Sequence, residues 1–323
     1  MKIVIPGGTG QVGAVLSRAF HRDGHTVVVL SRRPAAQAWR VVQWDGQTPG
    51  AWTRDIDDAD VVINLTGRSV NCRYNAANRK EILESRVDST RVVGEAIARA
   101  KRPPAVWLQA STATIYAHRY DAANDERTGL INAAGEPMPD AWRFSLDVVS
   151  AWEHAFDEAL TPNTRKVAMR TSLMMSPSAG GVLDTLIMLV RRGLGGSLGD
   201  GRQFMSWVHQ DDLVAAVRWI IDHRDIDGVV NIASPNPLPN AEFMRDLRRA
   251  CGVSIALPAA KWMLEIGAVF LRTETELILK SRRVVPTRLL ESGFVFKFPH
   301  WSDAAVDLCR EWRTMRGLKR AAA

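Results

Sequence analysis

No apolar run in this chain approaches the ~18–20 residues that a helix needs to cross a bilayer. The start, MKIVIPGGTG, carries one short apolar stretch, too brief for the hydrophobic part of a secretory leader. A cytoplasmic location is therefore expected, with no membrane partner. Cysteine is scarce, and Cys72, Cys251 and Cys309 stand far apart. No CxxC or HExxH spacing occurs, so neither a metal site nor a redox pair is suggested. An odd, sparse count fits a reducing compartment. Tyrosine is scarcer still for the length: Tyr74, Tyr116 and Tyr120 are the only three in 323 residues, a shortage that matters below. Long basic runs are also missing. The net charge is +7 and the pI near 9.7, yet the basic pairs at 32–33, 191–192, 248–249 and 282–283 are scattered. That dispersal argues against nucleic acid and leaves anionic small ligands, or solubility alone.

What is present is an ordinary globular composition, 46% hydrophobic and 24% charged, enough to bury a full core. Short β-branched runs alternate with helical patterns in the first half. KIVIP (2–6), TVVVLS (26–31), ADVVINLTG (59–67), AVWLQAS (105–111) and KVAMRTSLM (166–174) read as strands. Stretches 11–24, 80–101 and 145–160 read as helices. Strands separated by helices of this length imply βαβ units and a parallel sheet buried on both faces. The expected class is α/β: a Rossmann-type doubly wound parallel sheet with a smaller mixed α/β C-terminal subdomain on the substrate side. The first domain is expected over 1–174, with part of 205–235 returning to it, and the second mainly over 175–323. In the latter half, Asp211 or Asp212 is a candidate helix cap, Asn240 another, and Gly252 a helix stop. Most of the eleven tryptophans are expected in the core.

The strand KIVIP runs straight into GGTGQVG and then a helix. Glycines at 7, 10 and 13 permit a tight turn, a close approach of backbone to a pyrophosphate, and a helix start offering free N–H groups. Gly7, Thr9, Gly10, Gln11, Val12 and Gly13 are thus candidate cofactor contacts. The second strand ends in LSRRP. NAD binders usually place an acid there for the ribose hydroxyl. Here Ser31, Arg32 and Arg33 stand instead, and a guanidinium forms paired hydrogen bonds with phosphate. The reading is NADP(H), against the plainer one of a solvated basic turn.

With GGTGQVG, NLTG (64–67), LQASTATIYA (108–117) and FMSWVHQDDLV (204–214) in hand, the chain resembles the extended short-chain dehydrogenase/reductases. SRRP, NLTGRSV, RKEILESRVDSTR, WEHAF, RQFMSWVHQDDL and ILKSRRVVPTRLLESGFVFKFP narrow this. Together they resemble an atypical extended subfamily of NADP-binding, epimerase-like proteins, which ends in a small domain of unknown function, here about 250–308. The resemblance implies cofactor contacts from Ser31, Arg32, Leu65, Thr66, Gly67, Glu81 and Arg86, with Ser145 toward the nicotinamide. It places Thr112 as the hydroxyl residue of the catalytic group.

Most extended members carry a tyrosine, and a lysine four positions on, at the start of the helix containing WEHAF. Aligned on that motif, the two positions hold Ser145 and Val149. No shift restores the pair, because the residues four after the three tyrosines are Asn78, Tyr120 and Asn124. Serine titrates far above neutral pH without a partner base, and valine cannot hold a ribose. Tyr116 is a candidate substitute proton donor, or else a packing tyrosine. His118 titrates near neutrality but is expected in an exposed loop, and Asp147 on a helix surface. Arg73 and Tyr74, with Arg68 and Asn71, are candidate substrate contacts following a strand. Arg202, with Gln203 and Trp207, is a candidate from the later half. The expected activity is that of an NADP(H)-dependent oxidoreductase or epimerase-like protein on a small polar molecule, a carbonyl compound or nucleotide sugar. The alternative is a non-catalytic NADP(H)-binding regulator or redox sensor. A monomer or homodimer is expected.

Overall fold

The computed structural model describes residues 1–131, 138–254, 257 and 280–321. Five short runs, three of them dominated by Val and Ile, become the inner strands of a seven-stranded sheet. These are β1 (Lys2–Pro6), β2 (Thr26–Ser31), β4 (Val61–Asn64), β5 (Val106–Thr112) and β6 (Arg165–Thr171). With β3 (Arg40–Gln43) and β10 (Gly228–Ile232) at the edges, the order is β10-β6-β5-β4-β1-β2-β3. The order reverses direction between β1 and β4, whose partners run parallel, Ile3 opposite Val61 and Val4 opposite Val62. In doubly wound sheets, ligands gather at such a switch point, beyond the C-terminal strand ends.

β3 was not anticipated. RVVQ has only two apolar residues and lies half-exposed at the edge, so its hydrophobic signal is weak.

The helices of this region are α1 (Gln11–Arg22), α2 (Thr53–Ile56), α3 (Ala76–Arg99) and α4 (Asp140–Asp157). α4 begins five residues earlier than its apolar pattern suggests, directly after Pro139, with Asp140 in its first turn; both residue types favour a helix start. α3 packs on α4, and their inner residues Val93, Ile97 and Phe156 join Val4, Val28, Val62 and Trp107 in one core. Trp107 and Phe156 meet edge to face at 4.7 Å. Ile3, Ile5, Val27, Val29 and Ile63 are as deeply buried as their neighbours, so both faces of the sheet are covered.

The chain divides into two compact units. The first comprises 1–115, 137–171 and 214–230, and the second 116–136, 172–213 and 231–323. The second contains α5 (Val182–Arg191), the start of α6 (Gln210–Asp222), α7 (Asn240–Cys251), α8 (Thr287–Glu291) and α9 (Trp301–Ala321). Two small sheets accompany them: β7 (Leu173–Met175) with β9 (Trp207–His209), and β8 (Phe204–Met205) with β11 (Leu238–Pro239). The core of this unit joins α5, α7 and α9, with Trp301 stacked on Phe243 at 3.9 Å and edge-on to Trp207 at 5.0 Å.

Two expected caps are used otherwise. Asp212 accepts the backbone N–H groups of Lys297 (2.7 Å) and Phe298 (2.9 Å), while His209 Nδ1 accepts the N–H of Asp211 at 3.1 Å. Asn240 lies inside α7, which has no side-chain cap, and its Oδ1 accepts Leu198 N–H at 2.8 Å. Gly252 does end α7, in the left-handed conformation at φ +73°. Among the described residues no helix is long and apolar enough to cross a membrane.

Candidate functional site

The first unit holds a cleft of about 680 Å³ at the C-terminal ends of β1, β2 and β4. Its floor is the turn after β1. Gly7 sits at φ +73° and donates its N–H to Leu30 O at 2.9 Å. A side chain there would meet Thr66 Cα at 2.7 Å, so the turn packs directly on the 65–67 backbone. At Gly13 a Cβ would lie 2.4 Å from Gly8 Cα. Those two glycines are demanded by the protein's own packing. Gly10 differs: a Cβ there would touch nothing closer than Gly7 O at 3.6 Å, yet Gly10 lines the cleft. It is also the N-cap of α1, where no side chain caps the helix and no acid stands in the first turn. The positive end of the helix dipole is thus left for an anion.

The second wall is the end of β2. Ser31 is buried, accepts Arg33 N–H at 3.2 Å and donates to Arg33 O at 3.1 Å. This ties the strand end into a turn that leaves Arg32 and Arg33 exposed on the cleft. The third wall is the turn after β4. Asn64, fully buried, donates to Gln109 Oε1 at 3.0 Å and accepts Thr66 N–H at 3.1 Å. That bond shapes Leu65, Thr66 and Gly67, which all line the cleft. Thr66 Oγ1 is buried with no hydrogen-bond partner.

Of the expected cofactor residues, Gly7, Thr9, Gly10, Ser31, Arg32, Arg33, Leu65, Thr66, Gly67 and Glu81 line this cleft. Gln11, Val12, Gly13, Arg86 and Ser145 lie outside its lining. Arg86 sits behind the turn: its guanidinium donates to Arg68 O (3.1 Å) and Ile82 O (2.9 Å) and lies 5.1 Å over the Trp152 ring. Desolvation holds it down to about 10, still cationic at neutral pH. Glu81 forms an ion pair with Arg68, which also donates to Asn78 Oδ1 at 2.7 Å.

Leu30, Trp44, Asp45, Gly46, Gln47, Glu84 and Ser85 also line the cleft and were missed. Asp45 accepts the N–H groups of Gln47 (2.8 Å) and Thr48 (2.9 Å) and the Thr48 hydroxyl. The Thr48 hydroxyl above all, then these amides, lower its pKa. The Asp-Gly dipeptide after VVQW is a turn signal that would have found this loop.

The expected catalytic residues part company. Thr112 ends β5 in the first unit, half-exposed, its hydroxyl donating to Thr114 Oγ1 at 3.1 Å and accepting Thr114 N–H at 3.2 Å. Tyr116 belongs to the second unit, is 2% exposed, and donates its hydroxyl to Asn231 Oδ1 at 2.9 Å. Burial and this bond pack the side chain within its own unit. His118 is half-buried, not exposed, and accepts Ser281 N–H at 2.7 Å. On α4, Ser145 is half-buried, Asp147 exposed and Val149 buried at 3%.

Among the substrate candidates, Arg68 lines the cleft while Arg73 and Tyr74 do not. Tyr74 packs edge-on against Phe144 of α4 at 5.0 Å. Arg202 is exposed in the second unit, 5.8 Å over the Tyr120 ring. Gln203 and Trp207 are buried there and are core, not rim, residues: the Gln203 amide donates to Leu198 O at 2.8 Å and Trp207 is fully enclosed. Among the described residues no cluster suited to a metal ion occurs.

Residues 3–233 match the model of the NAD dependent epimerase/dehydratase family, and 259–308 that of a domain of unknown function (DUF1731). The chain is 32% identical over 316 residues to the epimerase family protein SDR39U1 of Bos taurus, covering 95% of this chain and 99% of that one. It is 29% identical to the epimerase family protein YfhF of Bacillus subtilis, covering 98% and 100%. The crystal structure of human epimerase family protein SDR39U1 with NADPH superposes with a TM-score of 0.83 at 27% identity, covering 96% and 99%. A nucleoside-diphosphate sugar epimerase from Corynebacterium glutamicum superposes with a TM-score of 0.73 at 27% identity, covering 95% of this chain and 58% of that one.

Proposed function

This chain belongs to the NAD dependent epimerase/dehydratase family, and from that premise we propose that it is an NADP(H)-binding, epimerase-like oxidoreductase with an altered acid–base site. The observation that carries the reading is the rim of the cleft. β2 ends on buried Ser31 with no acid, and Arg32 and Arg33 stand exposed beside it. A carboxylate there would repel a 2′-phosphate, whereas a guanidinium pairs with it. The floor supports the same group: Gly10 leaves room where α1 begins without a cap, as a pyrophosphate requires. The human protein solved with NADPH supports the choice of cofactor.

Bound there, the nicotinamide would supply a hydride donor or acceptor. The chain's own part is to hold phosphates at the start of α1 and to discriminate between the two nicotinamide cofactors with Arg32 and Arg33. Thr112, at the end of β5, is proposed to orient a small polar substrate, a carbonyl compound or nucleotide sugar. General acid–base help contributes ~10²–10⁴ in rate, so turnover without a Tyr–Lys pair is expected to be slow.

Calorimetry tests the cofactor. NADPH is expected to bind with a Kd of about 1 μM or tighter, about −8 kcal/mol. Arg32→Ala is expected to weaken NADPH by about 10–100-fold and leave NADH unchanged, the worth of one charge-assisted contact. Equal affinity for the two cofactors in both proteins sinks the assignment.

The second reading is a regulator that binds NADP(H) without chemistry. Val149, enclosed in α4's packing where a lysine would be needed, favours it. NADPH oxidation against a panel of carbonyl compounds and nucleotide sugars separates the two. Turnover lost in Thr112→Val supports the enzyme; tight binding with no turnover supports the regulator.

A further inference from the structure

The second unit contains a thiol pair that sequence spacing does not reveal. Cys251 closes α7 and Cys309 lies within α9, 58 positions later. Their sulfurs are 3.2 Å apart, both as free thiols. Roughly 1 Å of side-chain movement separates this contact from a disulfide bond. The approach is fixed by the packing of two core helices: α7 and α9 share the hydrophobic cluster around Phe243, Leu247, Trp301 and Leu308, and Arg313 of α9 donates to Ala250 O at 2.9 Å.

The two thiols are unlike. Cys309 is 1% exposed, while Cys251 is half-buried at the helix end, beside Gly252. The contact with Cys309 and the nearby guanidiniums of Arg313 and Arg191 hold the Cys251 thiol below its ordinary range. The same contact and burial push Cys309 up. A reachable sulfur biased toward thiolate, set over an enclosed partner thiol, is the arrangement in which oxidation proceeds to a disulfide and stops there.

We propose that Cys251 and Cys309 form a reversible disulfide when the protein meets a peroxide. The Cys251 thiolate attacks one oxygen of hydrogen peroxide and the O–O bond breaks. Cys251 becomes a sulfenic acid, and the departing hydroxide takes up the original thiol proton as water. The Cys309 sulfur then attacks the Cys251 sulfur; the S–O bond breaks, and the hydroxyl leaves with the Cys309 proton as a second water. The two thiols lose two electrons and two protons, and the peroxide is reduced to two waters. A small dithiol reverses the bond by exchange. The disulfide closes residues 252–308 into a covalent loop, which takes in most of what distinguishes this chain's end: the 259–308 match to the domain of unknown function. Cys72, whose thiol contacts Ser69 O in the first unit, takes no part. The proposal does not depend on cofactor binding.

The test treats the intact protein with one equivalent of hydrogen peroxide, alkylates remaining thiols, and maps peptides without reduction. The expected result is a Cys251–Cys309 cross-linked peptide, two hydrogens lighter, with Cys72 alkylated and the bond undone by dithiothreitol. The melting temperature of the oxidised protein is expected to rise by about 5 °C, since a long loop is closed. Cys251→Ser, at the accessible position, is expected to abolish both the cross-link and the rise; Cys309→Ala serves as a second variant. Either of two results overturns the proposal: both cysteines fully alkylated after peroxide, or Cys251 driven to sulfinic acid with no cross-link.

Discussion

The turn at 7–13 and the helix at 140–157 lie in the same unit and relate to their sequences in opposite ways. In the turn, the small residues that suggest a ligand site are split by the structure into two kinds. Gly7 and Gly13 serve the protein's own packing, and Gly10 leaves space on a cleft. In the helix, Val149 packs into the core and Ser145 is half-buried. Glu153, near the helix's far end, forms a buried ion pair with Arg170 at 2.7 Å. The two sets of residues answer to different constraints. The turn keeps one glycine clear of its own packing. The helix need only bury its inner face.

A lysine at position 149 is the strongest way to break this comparison. Val149→Lys places an ammonium where the side chain is 3% exposed and is expected to cost about 3 kcal/mol or more, read by urea unfolding. A stable Val149→Lys protein would mean that the position faces the cleft. A contrast within the turn sharpens it. Gly13→Ala, whose Cβ would lie 2.4 Å from Gly8 Cα, is expected to cost about 3 kcal/mol. Gly10→Ala is expected to cost less than ~1 kcal/mol in stability while weakening NADPH about tenfold or more. Equal losses of stability in the two variants would erase the distinction. A small effect confined to stability is expected from Ser31→Ala, about 1 kcal/mol for the lost hydrogen bonds to Arg33, seen as a modest drop in melting temperature.

Much of the fold was legible because it is written locally. The inner strands are short runs rich in apolar residues, and the helices between them carry their own apolar spacing. The edge strand β3 escaped notice because an edge needs few apolar residues. The capping roles of Asp212 and Asn240 were misread because each carboxylate or amide accepts hydrogen bonds from backbone distant in sequence. The position of Tyr116 after β5 left its hydroxyl's partner open, and that partner is Asn231, 115 residues on.

By itself the sequence determined the parallel α/β sheet, the glycine turn that opens its first helix, the acid-free basic end of β2 and the absence of any Tyr-x-x-x-Lys. Each of these depends on residue type and short spacing alone. Only the tertiary structure decided that Gly10 has room where Gly13 has none, that Trp207 is core, and that Cys251 meets Cys309. Those facts are distances between segments remote along the chain, and such distances are set by how the helices and strands pack.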